Sequence, residues 1–443
     1  MKLHFIDFFI IIIYLSSTIL IGAILSKRAS KSKESYFLGG NKLPWYMLGL
    51  SNASGMFDIS GTMWLVTLAF VYGLKSIWIP WLWPVFNQIF LMVFLSAWLR
   101  RSNVTTGAQW IETRFGKGKV SYLPHGIVVV FALISGLGFL AYGFIGLGKF
   151  MEIFIPWNVV NSYLNLNIPL EYVPHLYGVA FTLFAVFYTV LGGMTSIVWA
   201  DVLQYTIMTI ASIAIAIIAF NAVGSEGLNV PDGWMNPFFG KSLGIDWTNY
   251  IADVNSKIAD DGYSLFSAMF MMMLFKGVLI SIAGPAPNYD MQKILATKSP
   301  SEAAKMSGFV SMILMPIRYF MIAGFAALGI IYYDQLHLYA AGVLDFEQIL
   351  PSTINQFVPT GLLGLLLAGL LAAFMSTFAG TLNASQAYVT NDIYLKYLKP
   401  DATKASIKTA NYSVGIIVVV VSIVLGIQAK NVNQVLQLLV SAL

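Results

Sequence analysis

Ser51-Asn52-Ala53-Ser54-Gly55 and Gly284-Pro285-Ala286-Pro287 each interrupt an apolar run, one near 45–74 and the other near 263–287. Proline removes a backbone donor and glycine loosens a helix, so both stretches free carbonyls at a depth where no water can satisfy them. Irregular backbone survives there only when it is buried in protein or lines a cavity. Matching breaks in two halves of a chain therefore point to a binding site between the halves.

Outward from these two runs lie others of similar character, near 8–25, 80–99, 122–148, 172–192, 196–222, 307–333, 359–392 and 410–428. The 443 residues are 58% hydrophobic and only 10% charged, with a mean hydropathy of +0.75. A soluble protein carries roughly a quarter charged residues, so lipid is the solvent for most of this chain. Several runs reach the roughly 20 residues a helix needs to span a bilayer, and no ten-residue alternating pattern repeats. The fold class is an all-α polytopic membrane protein, and a β-barrel is excluded. The first run has no Ala-x-Ala site and is followed by Lys27, Arg28, Lys31 and Lys33, which reads as a retained span and not a signal peptide. There is no cysteine, hence no disulfide and no thiolate metal site.

Basic residues set the orientation. With the N-terminus outside, loops near 27–42, 100–119, 293–305 and 396–408 place 17 of the 25 lysines and arginines inside and 6 outside, the arrangement that cytoplasmic enrichment in basic residues predicts. The net charge of +5 is explained by these loops, and no nucleic-acid partner is needed. The chain then divides into an extra N-terminal helix with its basic inner loop (1–44), a first repeat (45–222), an acidic outer loop (223–262) and a second repeat (263–443). All four form a single transmembrane unit, 1–443. Two groups of five spans that start from opposite faces are what an inverted repeat requires. The last span, from Val432, stops at Leu443 with about 12 residues where about 20 are needed. That predicts a truncated final helix, and a chain that by itself binds poorly and transports nothing.

Three charges fall within spans: Asp58, Lys276 and Arg318. A charge at the helix centre costs about 2.5–3.5 kcal/mol on insertion scales, so such residues pair or line a wet cavity. Asp58 and Lys276 could brace the two broken helices as an ion pair; alternatively Asp58 or Arg318 could face a bound solute.

Further residues resemble one family. Gly49-Leu50-Ser51, Tyr72-Gly73-Leu74, Gln292-Lys293, Lys298-Ser299, Ser376-Thr377, Asn383 and Asp392-Ile393-Tyr394 are similar to the sodium/solute symporters, the group of the sodium/glucose cotransporters. The run Tyr188-Thr189-Val190-Leu191-Gly192-Gly193-Met194-Thr195-Ser196, followed by Trp199 and Asp201, is the most specific part of that resemblance. The resemblance implies a leucine-transporter-type fold of five plus five inverted helices behind one extra helix. It also implies a sodium site formed by the carbonyls of Ser54, Phe57 and Ala373 and the hydroxyls of Ser376 and Thr377. Without the family, Ser376 and Thr377 would be expected to bond back to a carbonyl one turn earlier. Asp201 is either a carboxylate favoured by a helix N-terminus or, by the resemblance, part of an inner gate or a second sodium site. That second site needs hydroxyls where Ala379 and Gly380 stand, so one sodium is expected.

Around the solute the resemblance places Asp58, Ser60, Gly61, Lys276, Ile280, Ala283 and Arg318. Sugar-carrying members have polar side chains at the positions of Ser60 and Gly61, a tyrosine at that of Ala283 and a lysine one turn before Arg318, so this chain departs from their contacts. The expectation is a sodium-coupled importer of a small polar solute, sugar-like by preference, working by alternating access as a monomer in the plasma membrane, the inner membrane in a bacterium. Sodium, the solute and the lipid bilayer are its partners, with no cofactor beyond the coupling ion and no enzymatic activity. The alternative is a membrane solute sensor of the same fold. Gly143 to Lys149 imitates a phosphate-binding loop, but Phe150 replaces the required hydroxyl and no strand precedes it. The scattered histidines His4, His125, His175 and His337 read as interfacial residues. The sequons at Asn52, Asn103 and Asn383 lie in or under the membrane.

Overall fold

The computed structural model describes residues 3–29, 31–81, 85–169, 172–261, 266, 275, 277–279, 281–282, 289–340 and 343–428. The second broken stretch, 284–287, and the final run from Val432 lie outside the described residues. Among these residues six helices are long and apolar enough to cross a membrane: Phe5–Lys27, Lys119–Phe154, Gly192–Glu226, Pro300–Ile331, Leu362–Leu398 and Lys404–Gln428. The only strands described are Tyr339–Ala340 and Val343–Leu344, a two-residue antiparallel pair.

The expected span at 45–74 is two half-helices, Trp45–Gly55 and Ile59–Tyr72. The break falls later than the sequence suggested, because Ser51 to Gly55 remain helical and the chain opens only at Met56-Phe57-Asp58. Asp58 is the reason: its extended backbone (φ −68°, ψ 149°) and its carboxylate cap the second half-helix, accepting from the Gly61 N–H at 2.7 Å. The expected span at 80–99 is also fragmented, running through Phe86–Phe90, a π-helical turn Leu91–Leu95 and Ser96–Arg101.

Helix Leu362–Ala387 stands at the centre. Its span is 83% buried against 22% for the leading helix Phe5–Ala29, so one faces protein and the other faces lipid. The leading helix is nevertheless pinned to it. Asp7, fully buried, accepts from the N–H groups of Gly361 and Gly364 at 2.7 and 2.8 Å and so caps the central helix from outside its own chain segment. Gly364 permits this approach, since a Cβ there would lie 2.5 Å from the Asp7 Cα. Asp7→Ala is expected to lower thermal stability by about 1–2 kcal/mol, read as a melting shift in detergent; Asp7→Asn should keep part of it.

The spans at 172–192 and 196–222 form one kinked helix, Val173–Glu226, with the kink at Gly193 (φ 55°, ψ −162°). Only glycine holds that backbone readily, and a Cβ would sit 2.7 Å from the Tyr36 carbonyl oxygen.

The outer loop is more than an acidic linker. The Trp234 and Trp247 indoles, both buried, donate to the Phe70 and Val71 carbonyls at 2.9 and 3.1 Å. They satisfy acceptors that the end of half-helix Ile59–Tyr72 leaves open. Lys75, counted as an outer basic residue, is buried and donates to the Gly233 and Asn236 carbonyls. Farther out Asp246 accepts from Thr248 and Asn255, bonds that hold its carboxyl below the usual range.

Candidate functional site

The first break meets the central helix at Thr377. Its hydroxyl donates to the Gly55 carbonyl at 2.7 Å, and the Ala373 carbonyl lies 3.1 Å away. The one-turn back-bond expected of an isolated threonine is present, but the shorter contact crosses to the broken helix. Ser376 and Ser54 are buried, and among the described residues neither hydroxyl makes a hydrogen bond. The Ser54 carbonyl accepts from the Phe57 N–H at 3.0 Å, which closes the turn of the break. Phe57 is fully buried with its ring edge-on to Tyr205. The Thr377 hydroxyl and the Gly55 and Ala373 carbonyls thus meet where half-helix Trp45–Gly55 ends, oxygen dipoles of the kind that suits a small monovalent cation.

On the other side of the break Asp58 lies 3.6 Å from the guanidinium of Arg318, which itself stands 5.9 Å over the Phe57 ring. Tyr142 donates to the same carboxylate at 3.2 Å. Asp58 is 26% exposed and Arg318 7%, so the carboxylate is the more accessible of the two. The intramembrane partner shown for Asp58 is Arg318. Lys276, with which a pair was expected, lies outside the described residues, as do Ile280, Ala283 and the side chain of Ser60. Gly61 serves the cap: a Cβ would sit 2.5 Å from the Asp58 Oδ1.

Asp201 departs from its plain sequence reading. It sits in the third turn of span Gly192–Glu226, where the helix dipole no longer acts, and it is fully buried. Ser51 donates to its Oδ2 in a short bond, Ser376 lies beside it, and the Lys293 ammonium is 3.6 Å away. Lys293 was expected in an inner loop; it is instead on helix Tyr289–Ala296, fully buried, and donates to the Ser51 carbonyl at 2.7 Å. Two turns of one helix thereby gather a second carboxylate, because Asp290 accepts from Asn52 at 2.6 Å and from Gln88 at 3.1 Å. Neither Asp290 nor Gln88 was singled out, and Asn52 was read only as part of the break and as a sequon. The available signal was an acid and a base three residues apart on a helix beside Gln292-Lys293.

His125, near the start of helix Lys119–Phe154, has a side-chain partner. It is buried, and its Nε2 lies 2.9 Å from Asp392. Asn52 and Asn383 are buried, consistent with sequons lying in the membrane.

The polytopic helical fold, with a capped break packed on a hydroxyl-bearing central helix, is of the leucine-transporter type. The chain belongs to the sodium:solute symporter family, whose model matches residues 36–443. It is 24% identical to the sodium/glucose cotransporter of Vibrio parahaemolyticus, over 98% of this chain and 77% of that protein. To the sodium/sialic acid symporter SiaT of Proteus mirabilis it is 22% identical, over 90% of this chain and 74% of that one. A solved Na+-coupled sialic acid symporter, in a substrate-bound outward-open state, superposes with a TM-score of 0.69 at 20% identity, covering 96% of this chain and 81% of that chain. Sodium-coupled solute transport, in preference to sensing, is the function this membership supports, and these relatives are transporters and not enzymes.

Proposed function

We propose that this chain imports a small polar organic solute together with one sodium ion, by alternating access of a five-plus-five inverted repeat. The supporting observation is the junction of Thr377 with Gly55, where a hydroxyl of the central helix meets a carbonyl at the break. Sodium is held there by the carbonyls of Ser54, Phe57 and Ala373 and the hydroxyls of Ser376 and Thr377. Asp201 is an inner gate and not a second sodium site, because the Lys293 ammonium already supplies a positive charge 3.6 Å from it. Solute lies beside Asp58 and Arg318. A sugar-like solute is favoured by the sodium/glucose relative, although the usual sugar contacts are replaced here. The protein works as a monomer in the plasma membrane, the inner membrane in a bacterium, with its N-terminus outside.

A melting screen of sugars, amino acids and carboxylates, each in sodium and in potassium, is expected to show one class that stabilises in sodium alone. Uptake into vesicles then separates transport from sensing, since a sensor binds without accumulating. At the solute position, Asp58→Asn keeps an N-cap side chain but leaves the Arg318 guanidinium without its carboxylate, so it is expected to melt lower than the wild type and to lose solute-dependent stabilisation as well. Asp58→Ala should in addition lose about 1 kcal/mol of stability with the cap. Solute stabilisation retained in both variants would remove Asp58 from the binding site.

A further inference from the structure

Arg318 is buried with donors to spare. Its Nε makes no hydrogen bond among the described residues. The Asp58 carboxylate stands 3.6 Å from one terminal nitrogen, beyond the roughly 2.7–2.9 Å of a charge-assisted hydrogen bond, so the pair balances charge and leaves an edge of the planar fork open. The side chain is 7% exposed on helix Pro300–Ile331, with little water to relieve the unmet donors, and such donors are costly when buried. Asp58 is the complement. Its Oδ2 accepts from the Gly61 N–H at 2.7 Å and from Tyr142 at 3.2 Å, while its Oδ1 faces Arg318 and makes no hydrogen bond among the described residues. An open donor edge and an open acceptor therefore stand side by side at the break.

We propose that the solute is a hydroxylated carboxylic acid, a sugar acid in preference to a neutral sugar, with its carboxylate on Arg318 and a hydroxyl donating to Asp58 Oδ1. This class narrows the solute that the transport reading places beside the same two residues, and it rests on that reading. A neutral sugar offers the guanidinium uncharged oxygens one at a time, whereas a carboxylate presents two coplanar acceptors that match the fork. The lysine of sugar-carrying members, one turn earlier, is a single-point donor; a fork stands here instead. The two carboxylates that share Arg318 repel each other, and sodium at the carbonyls of Ser54 and Phe57, next in the chain to Asp58, offsets that repulsion. Acid and ion thus each strengthen the other's binding. An amino acid would set its ammonium beside the guanidinium and bring a third cation to the same break; a hydroxyl brings none.

The test is melting of the full chain in detergent with matched probes: glucuronate against glucuronamide and glucose, galacturonate against galactose, glycerate against glycerol, and lactate against alanine, each in sodium and in potassium. At least one hydroxy acid is expected to stabilise in sodium, to do so less in potassium, and to bind about tenfold more tightly than its neutral partner. Arg318→Lys keeps a cation beside Asp58, so its melting without solute should stay close to the wild type, but it loses the fork and should bind the acid about tenfold more weakly. No shift from any acid, an equal shift from an acid and its neutral partner, or undiminished acid binding by Arg318→Lys would each overturn the assignment. So would stabilisation by alanine where no hydroxy acid acts. A neutral sugar that stabilises in sodium, with its shift lost in Asp58→Asn, would leave the transport reading standing and overturn the acid alone.

Discussion

Lys293→Met is expected to destabilise the protein by about 3–5 kcal/mol, the cost of leaving a buried charge without its partner. The ammonium lies 3.6 Å from Asp201 and donates to the Ser51 carbonyl, and Asp290 acts on it from its own helix. All three charged groups are buried, so removing the cation leaves two carboxylates facing each other's field in a medium that screens poorly. Methionine keeps the length and apolar character of the stem, so loss of volume contributes little. Adding Asp201→Asn to Lys293→Met should recover much of the loss, because it removes one orphaned charge while Ser51 can still bond the amide. Denaturation of the two single variants and the double variant in detergent measures the coupling. Losses that simply add would mean that Lys293 and Asp201 are energetically independent, and the gate assigned to them would lose its basis.

Much of the architecture was legible because hydropathy and loop charge are strong signals. Helices Lys119–Phe154, Pro300–Ile331 and Lys404–Gln428 cover the runs read near 122–148, 307–333 and 410–428. The break in the first repeat was legible in kind but not in position. Small residues mark where a helix can open, whereas the opening is placed by Asp58, whose capping contact with Gly61 is a three-residue local interaction hidden among apolar neighbours. Lys293 shows the converse failure. Counting basic residues treats each as solvated, and nothing local distinguishes a loop lysine from one that pairs with Asp201 from a distant span. Trp234 and Trp247 were invisible for the same reason: their partners, Phe70 and Val71, are backbone carbonyls more than 160 residues away. Ser376 and Thr377 were found through a family resemblance. Hydropathy alone gave no cause to separate them from other hydroxyls in the span.

Ser376→Ala and Thr377→Ala are each expected to weaken sodium binding by about 1–3 kcal/mol, or about 5- to 150-fold in apparent affinity. Their sodium-free behaviour should differ, and this is what separates an ion ligand from a structural contact. Thr377 donates to the Gly55 carbonyl at 2.7 Å, so its removal opens a bond between the broken and central helices even without sodium. Thr377→Ala should therefore melt lower in potassium as well, by about 1 kcal/mol, while Thr377→Ser restores both properties. Ser376 lies beside Asp201 and makes no bond to the broken helix among the described residues, so Ser376→Ala should melt in potassium less far below the wild type than Thr377→Ala does. In sodium the wild type gains stability with the logarithm of sodium concentration, and the Ser376 variant gains less at every concentration. Melting curves across a sodium series, at constant ionic strength made up with potassium, measure both effects. If Ser376→Ala follows the wild type through the whole series, the ion lies elsewhere, and the bond from Thr377 to Gly55 is only the seam along which the two helices pack.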